Sequence, residues 1–184
     1  MAQLFIISAP SGAGKTSLVS ALTTQIPNLV KAVSHTTRQP RSGEIDGEDY
    51  FFISKETFEA INLSEGFLEQ ACVHGNLYGT SKEQVVHNLA NDTSVILEID
   101  WQGAQLIKKS FPQAISIFVL PPSLDELASR LKARGSDSQE VIEKRLAAAE
   151  SEMSHSVEYD YVIINEQFEV ALDRIKTIIQ STQS

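Results

Sequence analysis

Leu4-Phe5-Ile6-Ile7-Ser8-Ala9-Pro10-Ser11-Gly12-Ala13-Gly14-Lys15-Thr16 passes from an apolar run into a glycine-rich turn that ends in Gly-Lys-Thr. The pattern predicts a buried strand at residues 4–7, a phosphate-binding loop at 9–16 and a helix from 16 to 25. Successive backbone N–H groups from Ser11 to Lys15 converge in such a loop, and the helix adds the positive end of its dipole. Gly12 and Gly14 lack a Cβ, so the backbone is free to take unusual dihedrals close to an anion. Lys15 has the reach for β- and γ-phosphates, and the Thr16 hydroxyl is a Mg²⁺ ligand type. Ala9 stands where the motif usually has its first glycine. An ATP or GTP site is the implied function of this stretch.

The 184 residues suit one domain with a small insertion, and 42% hydrophobic residues suffice for a core. A net charge of −9 argues against non-specific binding to nucleic acid or an anionic membrane. Anionic ligands must then be held by local clusters of Arg and Lys. The single cysteine, Cys72, excludes an internal disulfide and a cysteine-based zinc site, and its apolar neighbourhood suggests a packed thiol. No run approaches the ~18 apolar residues of a membrane span. The N-terminus lacks a basic region and its apolar run is only about four residues, unlike a signal peptide. A reducing cytoplasm is the expected location.

Apolar runs at 4–7, 95–99, 115–120 and 161–164 suit parallel strands buried on both faces. Helical periodicity fills 17–25, 102–109, 124–133, 142–153 and 168–179. The alternation predicts an α/β doubly wound sheet. Residues 33–90 break it, with strand signals at 50–53, 67–73 and 76–78 and helices near 55–63 and 82–90. This segment reads as a small, mostly β insertion.

Three further groups carry charge where a phosphate chemistry needs it. Ser34-His35-Thr36-Thr37-Arg38-Gln39-Pro40-Arg41, with Tyr50 downstream, offers two arginines and several hydroxyls, a clamp for a second phosphate or a solvated basic loop. Glu98-Ile99-Asp100-Trp101 ends a strand in carboxylates, at the side of an open sheet where ligands bind. Asp100 there serves as a water-mediated Mg²⁺ ligand, a substrate contact or a helix cap. Arg130, Arg134 and Arg145 lie on a helical hairpin broken by Gly135-Ser136-Asp137-Ser138, an arginine-bearing lid or a surface helix with ordinary ion pairs. The four histidines show no metal spacing, and Asp46-Gly47-Glu48-Asp49 lacks the other ligands of a calcium loop.

In this order, Ser8 to Lys15, Thr36-Thr37-Arg38 with Pro40-Arg41, Gly75-Asn76-Leu77-Tyr78-Gly79-Thr80, Ile99-Asp100-Trp101-Gln102-Gly103 and Arg130-Leu131 with Arg134-Gly135 resemble the guanylate kinase family over essentially the whole chain. The bacterial members are the most similar. The resemblance implies a phosphate-loop α/β fold with a core at about 1–33, 91–125 and 150–184, a GMP-binding part at 34–90 and a helical lid at 126–149. It implies transfer of phosphate from ATP to GMP with Mg²⁺, and ATP and GMP as the partners, with no obligate protein partner. Ala9 to Ser17 (Ala9, Pro10, Ser11, Gly12, Ala13, Gly14, Lys15, Thr16, Ser17) are the implied ATP contacts, with Asn165 on the adenine. Arg38, Arg41, Tyr50 and Tyr78 are the implied clamp of the GMP phosphate. Ser34, Glu69 and Thr80 are the implied guanine readers, with Asp100 beside them. Lys15, Arg130, Arg134 and Arg145 are the implied catalytic cations. Thr16 and Asp100 are the implied metal contacts. The family often carries Asp where this chain has Glu98, and an aromatic residue where it has Leu77.

Two other functions share these motifs. A kinase for another nucleoside monophosphate would change the base reader and keep the loop. A guanylate-kinase-like interaction domain without catalysis would typically have a damaged loop, whereas Gly14-Lys15-Thr16 is intact here.

Overall fold

The computed structural model describes residues 1–73, 75–133 and 139–183. Its main sheet has five parallel strands: β1 (Leu4–Ser8), β2 (Leu29–Lys31), β7 (Ser94–Glu98), β8 (Ile115–Leu120) and β9 (Tyr161–Ile164), in the order β2-β7-β1-β8-β9. The first strand is central, and its side chains divide by alternation. Phe5 and Ile7 pack on one face with Leu18, Leu22, Leu172 and Ile175, from helices α1 (Lys15–Gln25) and α7 (Phe168–Gln183). Leu4 and Ile6 face the opposite way, toward Val85 and Ile107 on α3 (Lys82–Ala90) and α4 (Trp101–Ser110). Both faces are therefore covered, as the apolar runs predict.

Two strands of this sheet depart from the sequence pattern. The three-residue edge strand β2 is too short for a periodic signal and is absent from the sequence reading. The other edge strand, β9, is buried on one side only: Ile163 is packed while Tyr161, Val162 and Ile164 remain exposed. Its apolar composition therefore overstates its burial, because an edge position leaves one flank without a neighbour. Asp160 secures its start, where one carboxylate oxygen accepts bonds from Ser116 N (2.8 Å), Ser116 Oγ (2.7 Å) and Lys108 Nζ (2.9 Å).

The insertion forms a second, mixed sheet from β3 (His35–Thr36), β4 (Phe51–Phe52), β5 (Phe67–Val73) and β6 (Asn76–Ser81), ordered β4-β3-β6-β5. Its small core stacks His35 on Phe51 and sets Phe67 4.5 Å from Phe58, on helix α2 (Lys55–Leu63). Helices α2, α3 and α4 start with side-chain caps from Ser54, Ser81 and Asp100. Cys72 is exposed on β5, not packed. Alternation with Glu69 and Ala71 places it on the opposite side of the strand, and the apolar neighbours face elsewhere.

Helices α5 (Leu124–Ala133) and α6 (Gln139–Ser154) pack through Leu127, Leu131, Ile142 and Ala149. Among the described residues no helix is long and apolar enough to cross a membrane. Truncating the centre of the main core, Ile7→Ala, should cost about 2–5 kcal/mol and lower the melting temperature by on the order of 10 °C. A thermal shift under about 2 °C would contradict this placement of the core.

Candidate active site

The loop after β1 is built by two left-handed glycines, Gly12 (φ +96°) and Gly14 (φ +93°). A backbone turn, Ala13 N to Pro10 O at 3.1 Å, closes it. A Cβ at Gly12 would stand 3.0–3.1 Å from Leu127 and Leu131 of α5, so crowding adds to the strain of φ that favours glycine here. Helix α1 starts at Lys15 with Gly14 as N-cap and no side-chain cap, which leaves its first-turn amides to an anionic ligand.

A cavity of about 340 Å³ opens over this loop. From the loop it is lined by Ala9, Pro10, Ser11, Gly12, Gly14, Lys15, Thr16 and Ser17. From the second sheet and its loops come Ser34, Arg38, Arg41, Tyr50, Glu69 and Tyr78, and from the end of β7 come Glu98 and Asp100. The fold thus gathers most of the sequence-derived candidates around one space. Ala13 and Thr80 lie beneath the lining, fully buried, and Asn165 is buried beside the loop. Arg145 lines the cavity, whereas Arg130 stands off it, donating Nε to Glu126 (3.0 Å) and Nη2 to the Asn165 carbonyl (3.1 Å). Arg134 and His74 lie outside the described residues.

The arginine end of the cavity is already ordered by a carboxylate. Arg38 donates both terminal nitrogens to Glu44, at 2.8 and 2.9 Å, and Glu44 also accepts the Arg41 amide at 2.6 Å. These bonds, that to Arg38 first, hold the Glu44 carboxyl below its ordinary range. The Arg38 guanidinium rides 5.4 Å over the Tyr50 ring, which meets Tyr78 edge-on. Burial, with the Glu98 charge second, pushes the Tyr50 hydroxyl up to about 12, so it remains a proton donor at neutral pH. Glu44 has no role in the sequence reading; its signal is its position three residues after Arg41 in a tight turn.

At the other end Glu69 is 6% exposed and its Oε1 accepts the Thr80 hydroxyl at 2.6 Å across the β5–β6 pair. Burial, opposed by that bond and reinforced by Asp100, raises the Glu69 carboxyl to about 7. Asp100 caps α4 through Gly103 N (2.9 Å), and a Cβ at Gly103 would come within 2.8 Å of Glu69 Oε2. Asp100 therefore caps the helix while also lining the cavity. Between the two ends the Thr16 hydroxyl donates to Glu98 at 2.5 Å. Among the described residues no three His, Cys, Asp or Glu side chains are grouped as metal ligands.

Sequence reasoning missed Ala71, Val73, Ala148 and Glu152, all of which line the cavity. Periodicity carries the signal for each. Ala71 and Val73 follow Glu69 at strand spacing, and Ala148 and Glu152 follow Arg145 at three and seven residues on one helical face. Burial, opposed by Lys15, raises the Glu152 carboxyl.

A central strand feeding a glycine loop and a helix, in a parallel sheet covered on both faces, defines a phosphate-loop nucleotide-binding fold. The guanylate kinase family model matches residues 1–182. The guanylate kinases of Salmonella typhimurium and Escherichia coli are 55% and 54% identical to it over 180 residues, spanning 97% of this chain and 87% of theirs. The crystal structure of a guanylate kinase from Anaplasma phagocytophilum superposes with a TM-score of 0.84 at 35% identity, covering 99% of this chain and 86% of that one. The chain belongs to the guanylate kinase family.

The raised Glu69 carboxyl has a thermodynamic signature. Its folded value lies above the ordinary 4.5, so folding takes up a proton between about 4.5 and 7. Stability from this group is complete below 4.5 and is lost as pH rises through 7. Glu69→Gln removes the titration while keeping an acceptor for Thr80, so its stability relative to the wild type should increase from pH 5 to pH 8 in chemical denaturation. A difference independent of pH would place the Glu69 carboxyl at its ordinary value.

Proposed function

We propose that this chain transfers the γ-phosphoryl group of MgATP to the 5′-phosphate of GMP, giving ADP and GDP, in the cytoplasm. The observation that carries this reading is the convergence of a phosphate loop, an arginine–tyrosine clamp and a buried carboxylate on one cavity. In it, the loop from Ala9 to Ser17 holds the ATP phosphates, with Lys15 on the β- and γ-oxygens. Arg38, Arg41, Tyr50 and Tyr78 hold the GMP phosphate. Glu69 accepts the guanine N1–H and 2-amino donors together, aligned by Thr80, with Ser34 and Asp100 alongside. Adenine lacks that donor pair, and a buried carboxylate left without it costs on the order of 1–3 kcal/mol or more.

The hydroxyl of Thr16 and the carboxylates of Glu98 and Asp100 supply the oxygen donors that Mg²⁺ takes beside nucleotide phosphates, the carboxylates through water. When bound, Mg²⁺ neutralises charge on the phosphoryl oxygens. The GMP phosphate is an ionised nucleophile near neutral pH, so transfer needs positioning and cations, not a strong base. Lys15, Arg145 and Arg130, with Arg134, offset the repulsion between the two polyanions. The chain divides for this purpose into a core (1–33, 91–125, 150–184), a GMP-binding part (34–90) and a lid (126–149). Closure of the latter two over the core excludes water, which otherwise accepts the phosphoryl group.

An ADP-release assay with MgATP and, in parallel, GMP, AMP, UMP and CMP tests the reading. Strong turnover is expected with GMP alone; turnover with another acceptor would overturn the guanine reader, and silence with all four would overturn the activity. Lys15→Ala should lower turnover at least ~100-fold with the fold intact by circular dichroism. Glu69→Gln should narrow the GMP-over-AMP preference, and an unchanged ratio would remove Glu69 as the reader.

A further inference from the structure

Asn165 follows the last strand of the main sheet, and its side chain points into the underside of the phosphate loop. Its backbone amide donates to the Leu120 carbonyl at 2.8 Å, so the residue is anchored at the end of the β8–β9 pair. Its side-chain Nδ2 donates to the Ala13 carbonyl at 2.7 Å, a buried bond joining residues 152 apart in sequence. Its own carbonyl accepts Nη2 of Arg130. At 5% exposure the side chain is a poor surface for reading a nucleotide base.

The Ala13 bond has a directional consequence. A trans peptide holds its C=O and N–H in one plane, pointing in opposite directions. Fixing the Ala13 carbonyl toward Asn165 therefore fixes the Gly14 N–H on the other side, and Gly14 lines the cavity while Ala13 does not. A Cβ at Gly14 would stand 2.5 Å from Asn165 Nδ2, so the glycine gives the amide its place. Rotation of this peptide plane would turn a carbonyl oxygen toward phosphates in place of an N–H donor.

We propose that Asn165 is a positioning residue of the phosphate loop: its side chain sets the orientation of the Ala13–Gly14 peptide, and its carbonyl ties Arg130 to the same point. This role rests on the phosphoryl-transfer reading of the cavity and differs from an adenine contact in one measurable respect. A strap beneath the loop acts on phosphate binding whatever base is attached, whereas a base contact acts only on the nucleotide.

Binding of ADP and of inorganic tripolyphosphate to the full chain, measured by calorimetry, separates the two. In Asn165→Ala, both ligands should weaken by a similar factor, about tenfold to a hundredfold, the effect of one hydrogen bond to a charged group. Asn165→Asp keeps the shape but sets an acceptor oxygen against the Ala13 carbonyl, and should weaken both at least as much. A melting curve on each variant checks that it is folded. Weakened ADP with unchanged tripolyphosphate would overturn the proposal in favour of a base contact. Unchanged binding of both, with only a lower melting temperature, would overturn it in favour of a purely structural bond. A wild-type chain that binds neither ligand would overturn the phosphoryl-transfer reading itself, and the proposal with it.

Discussion

A chain with nine excess negative charges must create, at one point, a surface that attracts polyanions. The turn from β1 into α1 is the device, because it draws its positive character from backbone amides instead of from net charge. That turn sits at the centre of the sheet. There β1 is held by parallel neighbours on both sides, and Gly12 and Gly14 adopt dihedrals that other residues resist. The rest of the structure is arranged around this point. The end of β7 brings carboxylates to the Thr16 hydroxyl, α5 supports the loop through leucines, and the second sheet carries arginines to the same cavity.

The second sheet brings a different kind of control. Two of its strands, β3 and β4, have only two residues each, and ring contacts of His35 with Phe51 and Phe67 tie them to the longer β5–β6 pair. Its two functional ends are internally balanced: Arg38 against Glu44, and Glu69 against Thr80. Arg38 and Glu69 are thus each oriented by a partner before any ligand contributes. Gly103 shows how closely the two sheets are interlocked, since the carboxylate on β5 occupies the space a side chain on α4 would need.

The loop, the central strands and the helical crossovers were legible in the sequence because each has a strong local signature: apolar runs, 3.6-residue periodicity and glycines flanking a lysine. Helices over 55–63, 82–90 and 124–133 follow the expected bounds for the same reason. What escaped depends on long-range geometry. The edge strand β2 is defined by its pairing with β7, not by its three residues. The exposure of β9 and of Cys72 reflects which flank of a strand has a neighbour. Glu69 was visible only through family resemblance, since a lone acid in a strand says nothing until burial and Thr80 define its surroundings. Glu152 and Ala148 were readable in principle from the helical face of Arg145, but nothing local says that this face turns toward the cavity.

The Arg38–Glu44 pair has an effect on discrimination among anions in general. A guanidinium already bidentate to a carboxylate has its end-on fork occupied, so an incoming anion meets a cation whose charge is partly offset. The newcomer must either displace that carboxylate or share the cation with it. A singly charged, strongly hydrated ion gains little from such an exchange, while a phosphate dianion with three oxygens gains more bonds than it disrupts. Such a paired cation would favour a doubly charged group of the right shape over ordinary salt anions.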